Sequence, residues 1–377
     1  MSTAQPSEAL SCADHFRGRV ASFHFSGTRA NRRRGQARKV LRTLAGRCDF
    51  LPVLDPGLRR LSREVAAALA VDGIVLSSIL LRDLPLPDGI PLVGDTHNAE
   101  FDVLRRTAGL ADNVLLRRYA SRQWPSTRRQ EQHCGRRVDL VLTTSDRDRL
   151  VFEQELGLSG IAVVPNGIDL SEFAPGGRPP RPGTIVFSGL MSYYPNQQAV
   201  RWFLDDIFPL VLQKVPTARF VVAGAAPPRW LTARADERLE VTGWVPDIRP
   251  YLRQAAVVIA PLRVGGGTRV KILEAQATAR PVVSTALGAE GLNLRHDESV
   301  LIADDAASFA SRVVDVLRDR ELAERIGRAG RRHVEDHFDW NQIGEALSRC
   351  LDSRLGLTAR RAPLASTPVN VVPAGAL

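Results

Sequence analysis

Short apolar runs rich in β-branched residues alternate along this chain with helical stretches, and that alternation restricts the fold more than any other feature. Strands separated by helices pair in parallel as βαβ units, because a helical crossover returns the chain to the same end of the sheet. In the first half the predicted strands are VASFHF (20–25), CDFLPVL (48–54), GIVLSSIL (73–80), PLVGDTHN (91–98), VDLVLTTS (138–145) and IAVVPNG (161–167). Helices are expected at 36–45, at 58–70, over a long arginine-rich region from about 99 to 137, and at DRDRLVFEQEL. The segment Phe173 to Gly183, FAPGGRPPRPG, holds four prolines and three glycines and can be neither helix nor central strand. Beyond it the alternation restarts with TIVFSG (184–189), ARFVVAG (218–224), LEVTGWV (239–245), AVVIAPL (256–262), PVVST (281–285) and SVLIA (299–303), with helices between and after them up to about Leu355.

The expected fold is therefore α/β, with two Rossmann-like doubly wound domains facing each other across a cleft. Predicted boundaries are a flexible N-terminus at 1–16, a first domain at 17–172, a linker at 173–183, a second domain at 184–355 and a disordered tail at 356–377. A chain of 377 residues, 44% hydrophobic, can bury two cores at the usual domain size of roughly 100 to 200 residues. No window approaches the roughly 18 uninterrupted apolar residues of a membrane span, and the N-terminal residues lack signal-peptide organisation. A cytoplasmic protein is the expectation. Cys12, Cys48, Cys134 and Cys350 are far apart, with no metal-ligand spacing, and read as reduced thiols.

The net charge of +10 lies mostly in the first half, which carries +7 over residues 1–182. Only Lys39, Lys214 and Lys271 are lysines among 51 basic residues, a skew that looks like codon preference more than one binding surface. The densest patch, Arg29 to Lys39, has no interleaved aromatics to stack on bases, so nucleic acid is not an expected partner. Two roles stay open for it: a peripheral contact with an anionic membrane at the inner face, or a solvated loop.

The chemistry concentrates in Pro261 to Thr285, PLRVGGGTRVKILEAQATARPVVST. An apolar strand runs into Gly265, Gly266 and Gly267, whose backbone N–H groups can approach an anion, and Thr268 is placed to cap the next helix. Arg269 and Lys271 add positive charge at the mouth. Glu274 lies one turn deeper, where a carboxylate can accept hydrogen bonds from ribose hydroxyls. A plain strand-to-helix turn is the competing reading of the same residues. Ligands of open α/β sheets bind beyond the strand C-termini, so the cleft walls should be His97, Asn98 and Ser145 on one side and Gly189, Gly224 and Gly265 to Thr268 on the other.

Five spaced motifs, DTHNAE (95–100), VVPNGID (163–169), VTGWVPDIRPYL (241–252), PLRVGGGTRVKILEA (261–275) and PVVSTALGAEGL (281–292), occur in an order that resembles glycosyltransferase family 4 of the two-domain GT-B type. The similarity runs from about residue 17 to 350, to the branch with GGGTR followed by KxLEA. It implies transfer of a sugar from a nucleotide-diphosphate sugar, with retention of anomeric configuration and without a metal ion or other cofactor. The implied acceptor is a glycan, a lipid-linked glycan or a small metabolite. Glu274 matches the second glutamate of the family's E-x7-E pattern and would bind the donor ribose. Gly266 stands where the first glutamate is expected, which shifts donor-sugar recognition toward the backbone of Gly266, Gly267 and Thr268. After Gly189 the sequence GLMSYYPNQQ lacks the cations that relatives carry, leaving Arg269 and Lys271 to neutralise the diphosphate.

His97 matches the family histidine that lines the donor phosphate and sugar, and the alternative is a loop or cap role. Asp95, Asn98 and Glu100 surround it on the acceptor side, where one of them would fix its tautomer. Trp244 and Val245 border the nucleobase pocket or, equally, Trp244 packs in the core. Asn166-Gly167 reads as a tight turn at the hinge. In the implied mechanism the leaving diphosphate accepts the acceptor's proton on the front face, while Arg269, Lys271 and the helix N-terminus stabilise its charge. Three rival readings are an oxidoreductase, which lacks its GxGxxG in the first domain, a catalytically silent nucleotide-sugar-binding partner of another transferase, and a sugar-nucleotide epimerase.

Overall fold

The structure, a computed structural model, describes residues 72–79, 86, 88–110, 113–177 and 179–356. The strand and helix candidates at 20–70, the Arg29 to Lys39 patch, the N-terminal 1–16 and the tail beyond Gly356 lie outside the described residues, as does part of the candidate at 73–80.

In the first domain four strands, β1 (Ile74–Leu76), β2 (Leu92–Thr96), β3 (Leu140–Thr143) and β4 (Ile161–Val163), pair in parallel in sequence order. Every residue of β3 is buried, as a parallel strand covered on both faces requires. The arginine-rich region is two helices, α1 (Glu100–Leu110) and α2 (Val114–Gly135), where one was expected. The break is local: Asn113 Oδ1 accepts the N–H groups of Leu115 and Leu116 at 2.9 and 3.1 Å, so it caps a new helix. Helix α3 (Asp146–Leu156) runs between the Ser145 N-cap and Gly157, which takes the left-handed C-terminal position.

In the second domain six parallel strands stand in the order β10-β9-β8-β5-β6-β7. They are β5 (Thr184–Ser188), β6 (Arg219–Ala223), β7 (Leu239–Gly243), β8 (Val257–Ala260), β9 (Val282–Ser284) and β10 (Leu301–Ile302). Each falls inside a run predicted as strand. After β5 the chain forms α4 (Tyr194–Trp202), a π-helical segment Phe203–Ile207, and α5 (Phe208–Lys214). Pro209 removes the donor that would close an α-turn there, and the Phe208 N–H reaches back five residues to Phe203. Short helices α6 (Arg229–Thr232) and α7 (Arg249–Gln254) follow β6 and β7, and α8 (Val270–Ala277) follows β8. Then come α9 (Ala286–Ala289), α10 (Ala306–Arg318), α11 (Arg320–His337) and α12 (Trp340–Leu355). Phe203, Phe208, Phe220 and Phe309 interlock at 4.6 to 6.3 Å between ring centres in the core under α4 and α10.

Two elements depart from the simple domain division. Helix α12, assigned by sequence to the second domain, lays Leu347, Leu351 and Leu355 on Val93, Leu140 and Leu142 of the first sheet. The linker is tied to the second domain: Arg253 donates to the carbonyls of Glu172 and Ala174, Arg331 donates to that of Phe173, and Phe173 packs against that domain's core.

Candidate active site

Strands β5 and β8 are neighbours in the second sheet, and the connections leaving them run to opposite sides. This topological switch opens a crevice beyond their C-terminal ends. A cavity of about 480 Å³ occupies it. Its walls include Gly189 after β5, Gly224 after β6, Trp244 and Val245 after β7, and Gly265, Gly266, Thr268, Arg269, Lys271 and Glu274 after β8. A larger groove, about 1100 Å³, runs along β5 to β7 between Arg181, Arg219 and Tyr251 and shares only Val245 with these predicted residues. Gly267, the remaining residue of the turn, faces the other domain. Its φ is +72°, and a Cβ there would lie 2.8 Å from Asn98 Oδ1 and 3.1 Å from the His97 carbonyl oxygen. Only glycine fits that conformation and that gap.

The two cations are not at the mouth, as the sequence suggested, but in the wall. Arg269 is 8% exposed, and its Nη1 donates to the carbonyls of Gly266 and Gly267. Its Nε and Nη2 are buried without a partner among the described residues, and burial lowers the guanidinium's pKa. Unsatisfied buried donors on a cation are costly unless an anion completes them. Lys271 Nζ donates to Asn196 Oδ1 at 2.8 Å and lies 3.9 Å from the centre of the Phe187 ring. Burial, and next the charge of Arg269, pull its pKa down to about 7. Glu274, one turn along α8, is half-buried, and burial raises its carboxyl while Lys271 draws it back. Among the described residues its carboxylate has no hydrogen-bond partner.

Two local expectations are corrected. Thr268 does not cap α8: the N-cap position is Arg269, without a side-chain cap, and Thr268 Oγ1 receives Asn166 Nδ2 at 2.5 Å. Asn166-Gly167 is not a tight turn either, since Asn166 spans to the second domain while Gly167 packs on Trp340. Trp244 is 74% exposed at the cavity rim, which rules out core packing and presents a free indole face.

On the first-domain wall His97 is exposed just beyond β2, its carbonyl receiving Thr144 Oγ1 at 2.9 Å. No hydrogen bond among the described residues holds its imidazole. Burial raises the Asp95 carboxyl, and the charge of His97 lowers it. Asn98 Nδ2 donates to Glu100 Oε1 at 2.7 Å. Behind them sits a group the sequence did not reveal. Glu131 of α2, 1% exposed, accepts the N–H groups of Glu100 and Phe101 at 2.9 Å each and so caps α1 from another helix. Asp148 was legible in principle, because Ser145-x-x-Asp148 has capping-box spacing, and Ser145 Oγ meets Asp148 Oδ2 at 2.7 Å. Asp102 gathers Arg105, Arg106 and Arg147; burial opposes its ionisation, but those arginines outweigh it and hold its carboxyl low. Arg106 and Arg147 then reach Glu290 of the second domain.

The description "Glycosyltransferase Family 4" matches residues 15–172 and "Glycosyl transferases group 1" matches residues 182–319. The chain is 26% identical over 223 residues to the phosphatidyl-myo-inositol mannosyltransferase of Mycobacterium leprae, covering 56% of this chain and 58% of that one. It is 30% identical over 231 residues to the D-inositol 3-phosphate glycosyltransferase of Mycolicibacterium smegmatis, covering 55% and 51%. The chain thus spans little more than half the length of these relatives. In fold it is similar to the sucrose-phosphate synthase of Thermosynechococcus elongatus, with a TM-score of 0.67 at 16% identity over 80% of this chain and 78% of that one. HepE of Anabaena, solved in complex with UDP and glucose, gives a TM-score of 0.61 at 15% identity over 78% and 81%.

Proposed function

The chain belongs to the group 1, family 4 glycosyltransferases with the two-domain GT-B fold, and on that premise we propose that it moves a sugar from a nucleoside-diphosphate sugar to an acceptor hydroxyl, with retention of configuration and without a metal ion. The observation that carries the reading is the buried guanidinium of Arg269, with two donor atoms unpartnered among the described residues, beside the half-buried Lys271 in one cavity wall. A diphosphate supplies the acceptors and the negative charge that this wall lacks. Glu274 takes the ribose hydroxyls and Trp244 with Val245 borders the base. The acceptor enters from the first-domain side past His97. As the sugar–phosphate bond breaks, the leaving diphosphate takes the acceptor's proton on the same face, and Arg269 and Lys271 hold the charge that develops.

The acceptor is a glycan, a lipid-linked glycan or a small metabolite. One relative is named a phosphatidyl-myo-inositol mannosyltransferase, which supports a lipid-linked acceptor, and HepE was solved with UDP and glucose, which supports a nucleoside-diphosphate sugar as donor. Work at the inner face of a membrane fits a lipid-linked acceptor. No helix among the described residues is long and apolar enough to cross one.

A thermal-unfolding panel of UDP-, GDP-, ADP- and dTDP-sugars tests the reading. A bound donor at 100 times its Kd adds about 2.7 kcal/mol of stability. Protection by one donor together with turnover in extracts of candidate acceptors is the expected result. Protection without transfer or hydrolysis would point to a silent binding partner, and protection by none would refute the proposal.

A further inference from the structure

Position 266 is closed to any side chain by the other domain. A Cβ on Gly266 would come 2.2 Å from Val103 Cγ2 of α1 and 3.8 Å from Asn98 Cβ. The glycine turn therefore cannot carry a carboxylate toward the sugar while the cleft is in this conformation, and the start of α1 occupies the space instead. That helix begins with Glu100, a half-buried carboxylate. Its Oε1 is held by Asn98 Nδ2 at 2.7 Å, and Asn98 is the side chain that abuts Gly267. Its Oε2 has no hydrogen-bond partner among the described residues, and the charge of His97 acts on the carboxylate without a salt bridge between them. Burial raises its pKa, and its charge is felt by the phenol of Tyr193, which lines the donor cavity. The position is also preorganised. Glu131 clamps the N–H groups of Glu100 and Phe101, and Asp148 Oδ1 lies 3.4 Å from the Ala99 nitrogen.

We propose that Glu100 is the carboxylate that accepts hydrogen bonds from the donor's sugar hydroxyls, supplied by the first domain in place of the residue that Gly266 cannot carry. The proposal rests on the function given above and moves Glu100 from the acceptor side, where the sequence put it, to the donor side. It makes sugar recognition depend on cleft closure, because the base, ribose and diphosphate contacts lie in one domain and the sugar contact in the other.

Calorimetric titration with two matched pairs, UDP with UDP-glucose and GDP with GDP-mannose, separates the sugar contact from the rest. Glu100→Gln is expected to weaken the sugar-bearing member of the pair that binds by about ten-fold or more, while the affinity for its nucleoside diphosphate stays unchanged. Asn98→Ala, which keeps the carboxylate but releases its tether, should shift the same ratio in the same direction by less. An unchanged ratio in both variants overturns the assignment, and so does an equal loss for both members of the pair, which would mark a structural role. If the unaltered protein binds none of the four, the assignment falls together with the functional reading. If it binds a nucleoside diphosphate and the ratio does not move, the assignment of Glu100 falls alone.

Discussion

Arg106 and Glu290 join the two domains by two parallel hydrogen bonds, Nη1 to Oε2 at 2.7 Å and Nη2 to Oε1 at 3.0 Å. Arg147 Nε lies 3.2 Å from the same carboxylate, and Asp102 secures both arginines from behind. With side chains only 23% and 27% exposed, this fork should exceed the roughly 0 to 1 kcal/mol of a surface ion pair. Glu290→Gln is expected to open the cleft, read as a larger radius of gyration in small-angle scattering of the ligand-free protein. Adding Arg106→Gln should open it little further, because both changes break one bridge. Identical scattering for all three proteins would show that the bridge does not hold the cleft.

Donor binding should depend on pH through Lys271. Its pKa is held at about 7 by burial and by Arg269. A diphosphate raises it again, since opposite charge favours the ammonium. Below pH 7 the lysine is already charged and affinity is highest; above pH 7 binding must take up a proton, and affinity falls as pH rises. Titrations at pH 8 in buffers of different ionisation enthalpy should report that uptake. In Lys271→Met the uptake is expected to vanish and affinity to drop by about 1.5 to 3 kcal/mol. Equal uptake in the variant would assign the proton to another group.

Gly266→Ala should impair closure without disturbing the second domain itself. The added methyl group meets Val103 Cγ2 at 2.2 Å, and valine has few rotamers with which to yield. Weaker binding of the nucleotide sugar, with the nucleoside diphosphate unaffected, is the expected outcome, and Val103→Ala in the same chain should restore it. Failure of the second change to rescue the first would argue against this contact as the cause.

Glu131 should make stability fall with rising pH. Burial raises its pKa to about 8, above the ordinary 4.5, although the N–H groups of Phe101 and Glu100 pull the other way. The folded chain therefore holds a proton that the unfolded chain releases. The contribution is complete below pH 4.5 and is lost as pH climbs through about 8. The melting temperature of Glu131→Gln should decline less between pH 5 and pH 8 than that of the unaltered protein. Parallel curves would locate the titration elsewhere.

Much of the second domain was legible before any coordinates. Its six strands lie within the predicted runs, and the cavity at their C-terminal ends is lined by Gly265, Gly266, Lys271 and Glu274, which the sequence singled out. The errors were local in appearance and tertiary in cause. Thr268 has the chemistry of a cap, but its hydroxyl is engaged by Asn166 from 102 residues away. Trp244 was open between a base pocket and the core, and only the packing around β7 leaves it exposed. The break between α1 and α2 could have been read from Asn113, whose side chain supplies the new helix start.

What the sequence determined by itself is what short-range physics controls: strand and helix periodicity, and a glycine turn that brings backbone N–H groups and two cations to one helix start. Tertiary structure alone decided the rest. It buried Arg269 and half-buried Lys271, sent α12 back onto the first sheet, seated Val103 against Gly266, and brought Arg106 to Glu290 across 184 residues of chain. The cations are enclosed by packing within the second domain, around Asn196 and Phe187, while the other three turn on which surfaces the two domains present to each other, and no local residue pattern encodes desolvation or contact at that range.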